Sequence, residues 1–402
     1  MKEDSKLEEA KTKEKLFSAD FIKIIAVAGL GRICNHMQSI TMPLYMQSIG
    51  FSATVAGLMM TVYMLASLCS RPFIGLALDR YRRWPIVVGG TALFALASAT
   101  LGYLSILWLL IFIRFLHGIG FASHATGINT MGTDVIPESR LSEGIGYLGL
   151  TNSLSTAIAP AMALALIASI DYSRTFLVIF GLAAAAVVIS ITIRYERKLP
   201  PRPAEAMRRK ITWADLFEKS SLLPSVVILF LSAANTSLNT FLPTFGEARG
   251  IAKVGLFFTM NAVAMAVARL TCGWLSKRFG DKRIMRAGMI LCFCGYLVIF
   301  FSRSSPALWA AGIVYGFGYG IVYPVLNAMA VVRADPARRG AANATFLMFL
   351  DTGIALGSLI WGLAIDFLGV RWLYLLCALC VAICFAMNFM PRFSGMYDKN
   401  ES

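Results

Sequence analysis

Long apolar runs alternate with short polar breaks along most of the chain. Six runs fall at about 21–48, 52–76, 84–104, 106–132, 142–168 and 175–194. A polar stretch, 195–221, interrupts them. Six more follow at about 222–247, 254–276, 284–303, 307–332, 341–366 and 371–391. A bilayer core about 30 Å thick takes roughly 20 apolar residues as a helix. The pattern predicts an all-α membrane protein of twelve transmembrane helices in two six-helix halves. The expected parts are a cytoplasmic tail (1–20), a first bundle (21–194), a cytoplasmic linker (195–221), a second bundle (222–391) and a cytoplasmic tail (392–402). The first twenty residues are polar, mixed in charge and without a small-residue cleavage site. They read as a solvated tail rather than a signal peptide.

Composition narrows the class. Of 402 residues 57% are hydrophobic and 15% charged, against about 25% charged in a soluble domain. A water-soluble enzyme and a disordered chain are both excluded. The net charge of +15 would suggest nucleic acid in a soluble protein. Here position explains it. With both termini inside, 28 of the 37 Lys and Arg fall in tails, linker and alternate loops, five fall in the opposite loops, and Arg32, Arg71, Arg114 and Arg269 fall within spans. That asymmetry marks the cytoplasmic face, and no nucleic-acid partner is implied. The eight cysteines lie in apolar runs, so Cys377-x-x-Cys380 reads as packing rather than redox chemistry. Residues 213–219 read as a short interfacial helix or as plain linker.

Shifting the chain by 198 residues superposes Arg71 on Arg269, Gly75 on Gly273, Arg80 on Arg278, Gly118 on Gly316 and Gly120 on Gly318. Two six-span halves in one orientation are the parallel repeats of a rocking transporter.

The break after the second span reads Arg71-Pro-Phe-Ile-Gly75-Leu-Ala-Leu-Asp79-Arg80-Tyr-Arg82-Arg83. It resembles the signature loop of the major facilitator superfamily, with Gly75, Asp79, Arg80 and Arg83 in place and Arg82 where a glycine is usual. The resemblance covers essentially the whole chain. It implies a conformational latch in which Gly75 permits close helix approach and Asp79 faces a helix N-terminus and basic partners. The second copy keeps Gly273 and Arg278 but carries Lys277 in place of the aspartate, so the latch is expected to be stronger in the first half. Span 4 carries Arg114-Phe-Leu-His117-Gly118-Ile-Gly120, similar to the motif of proton-coupled members. Span 5 keeps only the proline, Pro160, of the exporter signature, with Ser or Ala for its glycines. The chain looks most like the twelve-span drug and metabolite efflux branch.

An ionisable group at the bilayer centre costs at least about 2.5 kcal/mol. One carboxylate, Asp351, lies deep within a span. It is a candidate proton carrier with Arg114 and His117, or else a structural ion pair or helix-packing hydrogen bond. Polar stripes mark four spans. Arg32, Asn35, His36 and Ser39 share one face of span 1, and Arg114, His117, Phe121 and His124 share one face of span 4. Asn235 and Asn239 are one turn apart on span 7, and Tyr315, Tyr319, Tyr323 and Asn327 recur every four residues on span 10. The resemblance implies that these four spans line a central cavity. Arginines there in place of acids lead us to expect a neutral, zwitterionic or anionic solute.

The expected function is proton-coupled efflux of a small organic compound, by a monomer in a bacterial cytoplasmic membrane. No cofactor is expected, since a proton gradient would supply the energy. The alternatives are solute uptake on the same scaffold, a lipid translocase, or a non-transporting sensor. Enzyme chemistry is disfavoured, because no nucleotide loop, triad or metal cluster stands out. His36, His117 and His124 lack the carboxylate or thiolate spacing of a zinc site.

Overall fold

The computed structural model describes residues 16–51, 53–198, 216–251 and 253–389. Both expected tails lie largely outside them, as do residues 213–215 of the 213–219 segment. The described part of that segment leads into a short 3-10 turn at Lys219–Ser221. Among the described residues twelve long helices stand in the order α1 Ala19–Ser48, α2 Ala53–Arg80, α3 Arg83–Leu101, α4 Leu107–Val135, α5 Leu141–Ile170, α6 Tyr172–Ile191, α7 Leu222–Ala248, α8 Gly255–Phe279, α9 Asp281–Phe301, α10 Ser305–Val332, α11 Arg339–Leu368 and α12 Val370–Met387. No strand occurs among the described residues. Eleven of these helices are long and apolar enough to cross a membrane. The exception is α1, whose middle is loaded with Arg32, Asn35, His36 and Gln38.

The chain divides into two compact units. The first comprises Met1–Pro137, Leu154–Glu218 and Ala334–Thr345; the second comprises Glu138–Ser153, Lys219–Arg333 and Phe346–Ser402. This differs from a cut at the linker, because the beginnings of α5 and α11 are exchanged. Each is a 30-residue helix, about 45 Å long at 1.5 Å per residue, and so outruns a bilayer core of about 30 Å.

Each unit repeats one packing scheme. In the first, α4 packs on α2, α3 and α1, and α6 packs on α1 and α3; in the second, α10 packs on α8, α9 and α7, and α12 packs on α7 and α9. Glycines set the closest approaches. A Cβ on Gly118 would meet the Tyr63 carbonyl of α2, and one on Gly120 would meet the backbone of Phe94 on α3. Their repeat partners behave alike, Gly316 against the Asn261 carbonyl of α8 and Gly318 against the Gly288 carbonyl of α9. The repeat reaches the backbone dihedrals as well. Asp171 and Gly369, 198 residues apart, precede α6 and α12 with φ of 84° and 82°. Asp171 tolerates this conformation as an N-cap, its carboxylate accepting from the Arg174 amide at 2.9 Å.

Candidate functional site

The loop that ends α2 meets the start of α11 within the first unit. The Asp79 carboxylate accepts from the backbone amides of Gly340 at 2.6 Å and Ala341 at 2.7 Å. These belong to the first turn of α11, where helical amides have no partner of their own. Two glycines make room: a Cβ on Gly75 would strike Gly340 and Ala344, and one on Gly340 would strike Asp79 itself. Arg71 is buried and donates to Thr126 Oγ1 of α4 at 3.1 Å. Arg83 forms an ion pair with Asp134 and donates to the Pro336 carbonyl at 3.2 Å. Tyr195 donates to the same Asp134 at 2.8 Å, and Glu196 accepts from the amides of Arg83 and Trp84 at 2.6 and 2.9 Å, closing the start of α3. Arg80 is the last residue of α2. Asn129 of α4 donates to Asn343 of α11.

The second copy inverts this chemistry. Lys277, at the position of Asp79, pairs at 3.8 Å with Glu143, which stands in the first turn of α5 at the position of Ala341. Arg140 grips the same carboxylate at 2.6 and 2.8 Å, and Gly273 makes room for its side chain. Asp281, at the position of Arg83, accepts from Ser276 and, at 3.4 Å, from Ser142. Arg269 is buried and donates to the Gly149 carbonyl and to Ser153 Oγ, the latter at 2.6 Å. Arg278 lies over the rings of Trp274 and Phe279. The missing aspartate is thus replaced by a lysine with its own acidic partner. Glu143 was detectable in the sequence: subtracting 198 from the first turn of α11 lands on it.

Deeper in the first unit, Arg114 is 1% exposed. Its Nη1 meets His117 Nδ1 at 2.9 Å and Gln38 Oε1 at 3.4 Å; Nε reaches the Met59 carbonyl and Nη2 reaches Met60 Sδ, each at 3.4 Å. The Tyr63 ring covers it at 4.3 Å. Among the described residues no carboxylate pairs with Arg114. His117 is stacked on Phe94 at 4.6 Å, with Nε2 3.4 Å from Ser98 Oγ, and Gln38 donates to the same Ser98. His124 is also buried, hydrogen-bonded to Thr91 at 2.9 Å and pressed against Gly31. On α1, Asn35 accepts from Tyr63, and His36 Nε2 lies 3.2 Å from Thr156 Oγ1. Arg32 is half-buried above Phe121.

In the second unit the tyrosines of α10 form a ladder. Tyr315 and Tyr319 stack at 5.8 Å and Tyr319 and Tyr323 at 6.4 Å, with Arg269 over the Tyr323 ring. Tyr315 donates to Asn235 Oδ1 at 2.9 Å. Tyr315, Tyr319 and Asn327 are core residues, Asn235 and Tyr323 are half-buried, and Asn239 is exposed. Both amide atoms of Asn327 are buried without a hydrogen-bond partner among the described residues. Its repeat mate is Asn129, which pairs with Asn343; the residue equivalent to Asn343 is Ile145, an aliphatic side chain with nothing to offer. Asp351 is half-buried on α11 in this unit, and the Arg114–His117 cluster in the first. Sequence reasoning joined Arg114 to His117 and missed Gln38, Tyr63 and Ser98, single polar letters with no motif around them. All eight cysteines are free, and Cys377 donates to Ser237.

A sequence profile of the Major Facilitator Superfamily matches residues 24–257 and 250–394. The chain belongs to this superfamily. It is a multi-pass membrane transporter. Among its relatives, the staphylopine export protein of Staphylococcus aureus is 22% identical over 384 residues, covering 92% of this chain and 96% of that one. The MFS-type transporter YhhS of Escherichia coli K12 is 26% identical over 362 residues, covering 87% and 86%. Among solved superfamily structures, the human organic anion transporter MFSD10 aligns with a TM-score of 0.77 at 16% identity, covering 92% of this chain and all of that one. FucP in its outward conformation aligns at 0.74 and 17% identity, covering 93% and 98%.

Proposed function

We propose that the chain is a secondary active exporter that exchanges protons for a small organic compound by alternating access. It works as a monomer in a bacterial cell membrane, with both termini in the cytoplasm. The contact between Arg114 and His117 at 2.9 Å carries the reading. A guanidinium N–H can meet Nδ1 only while that nitrogen keeps its lone pair, so the ring proton sits on Nε2, toward Ser98. A second proton on His117 would set N–H against N–H. Proton uptake therefore requires the pair to part, which ties protonation to movement around α4. Asp351 is the second candidate carrier, on α11. One charge moved through 100 mV is worth about 2.3 kcal/mol, a gradient of about fifty-fold. Export is supported by the staphylopine export protein among the relatives. Uptake is the alternative, since the solved relatives include a fucose:proton symporter. Arginines in place of acids on α1 and α4 favour a neutral, zwitterionic or anionic solute.

The test is flux in proteoliposomes under an imposed pH gradient, with anionic, neutral and cationic compounds. His117→Gln should lose gradient-driven flux and keep solute exchange at equal pH. Unchanged gradient-driven flux in both His117→Gln and Asp351→Asn removes both residues from proton coupling.

A further inference from the structure

Arg32 on α1 and Arg114 on α4, both in the first unit, are solvated in opposite ways. Arg114 is sealed: its donors are aimed at a carbonyl, an amide oxygen, an imidazole nitrogen and a thioether, and a ring covers its face. Nothing more can reach it without displacing a protein group. Arg32 is half-buried. Its guanidinium carbon lies 5.9 Å from the centre of the Phe121 ring, the far edge of cation–π range, and its charge also acts on the buried His124. Neighbouring acceptors on the same helix face are engaged elsewhere, Asn35 by Tyr63 and His36 by Thr156.

Depth makes this arrangement costly. Arg32 is the fourteenth residue of the 30-residue α1, about 20 Å from either end at 1.5 Å per residue. An arginine side chain cannot snorkel that far, and a charge at mid-bilayer costs at least about 2.5 kcal/mol. Among the described residues no acceptor meets its five N–H donors, and at that depth they suit an anion from outside the protein. The second half of the chain carries no equivalent, because Phe230 and Gly312 stand 198 residues after Arg32 and Arg114.

We propose that Arg32 is the residue that selects the solute, by holding a carboxylate on it through a two-pronged guanidinium–carboxylate contact, with the Phe121 ring under the adjoining apolar body. Arg114 stays with His117 and does not touch the solute. This rests on reading the chain as a solute exporter, and it deepens that reading to carboxylate-bearing compounds.

The probes are three compounds with one body and three charges: N-acetylphenylalanine, its neutral amide, and phenylalanine amide as the cation. Binding is read by thermal stabilisation of the full chain in lipid nanodiscs, which removes leakage across a bilayer. The wild type should bind the acid about tenfold or more better than the neutral amide. Arg32→Gln should abolish that preference while binding the amide as before. Arg32→Lys should keep part of it, which separates charge recognition from misfolding, and Arg32→Glu should favour the cation. Equal binding of acid and amide by the wild type, or an undiminished preference in Arg32→Gln, overturns the proposal. So does stabilisation by chloride equal to that by the acid. Acid bound through Arg32 but not moved by a pH gradient leaves the carboxylate site standing and removes the export reading instead.

Discussion

Replacing Asp79 with asparagine isolates the contact between α2 and α11. The aspartate holds two backbone amides at 2.6 and 2.7 Å. Hydrogen bonds to a charged group are worth about 1.5–3 kcal/mol each, and a negative charge at a helix N-terminus adds about 0.3–1 kcal/mol. Asparagine keeps one acceptor oxygen, turns its NH2 toward an N–H, and loses the charge. The net loss is about 2–3 kcal/mol, or about 30–150-fold in the equilibrium between closed and open contact. Hydrogen–deuterium exchange of the peptide containing Gly340 and Ala341 reads this directly. Its protection should fall by that factor, while the peptide containing Glu143 keeps its own. Unchanged protection at Gly340 and Ala341 would refute the reasoning. A uniform fall across the chain would point to global destabilisation instead.

Gly340→Ala should lower the thermal midpoint and speed exchange at the start of α11, because the added methyl meets Asp79 and the Gly75 carbonyl; overpacking of this kind costs about 1–3 kcal/mol. Lys277→Met should cost less than about 1 kcal/mol and lose its effect in high salt, since Lys277 is 42% exposed; a large, salt-independent loss of thermal stability would contradict the pairing with Glu143. Asn327→Leu should leave the thermal midpoint unchanged or raise it, because an orphaned buried amide disappears. Asn343→Leu should lower the midpoint, because it strands Asn129. Equal losses at both asparagines would show that Asn327 has a partner.

The span pattern was legible because burial in lipid demands unbroken apolar length, and a signature loop with a matching second copy located the rest. Hydropathy is weakest where the chemistry is densest. Alone among the twelve helices, α1 fails a length-and-hydropathy test because it carries Arg32, Asn35 and His36. Partners were harder to read than positions. Asp79 is held by backbone amides, which leave no letter in the sequence. Glu143 is a letter, but nothing local to it says that it faces Lys277; only the repeat does. The exchange of the first turns of α5 and α11 was invisible to hydropathy, which records that a residue is apolar and not which bundle it joins.

That exchange bears on how the chain is made. The first unit includes Ala334–Thr345, and the amides that receive Asp79 are Gly340 and Ala341. During synthesis the sixth helix is complete long before these residues leave the ribosome. Until then the Asp79 carboxylate has no helix end to face, and Asn129 has no Asn343. The first six spans therefore wait in the bilayer with one edge unfinished until the eleventh begins. A mutation at that edge can act by lengthening exposure of the nascent chain to membrane proteases, even where the finished transporter would tolerate it.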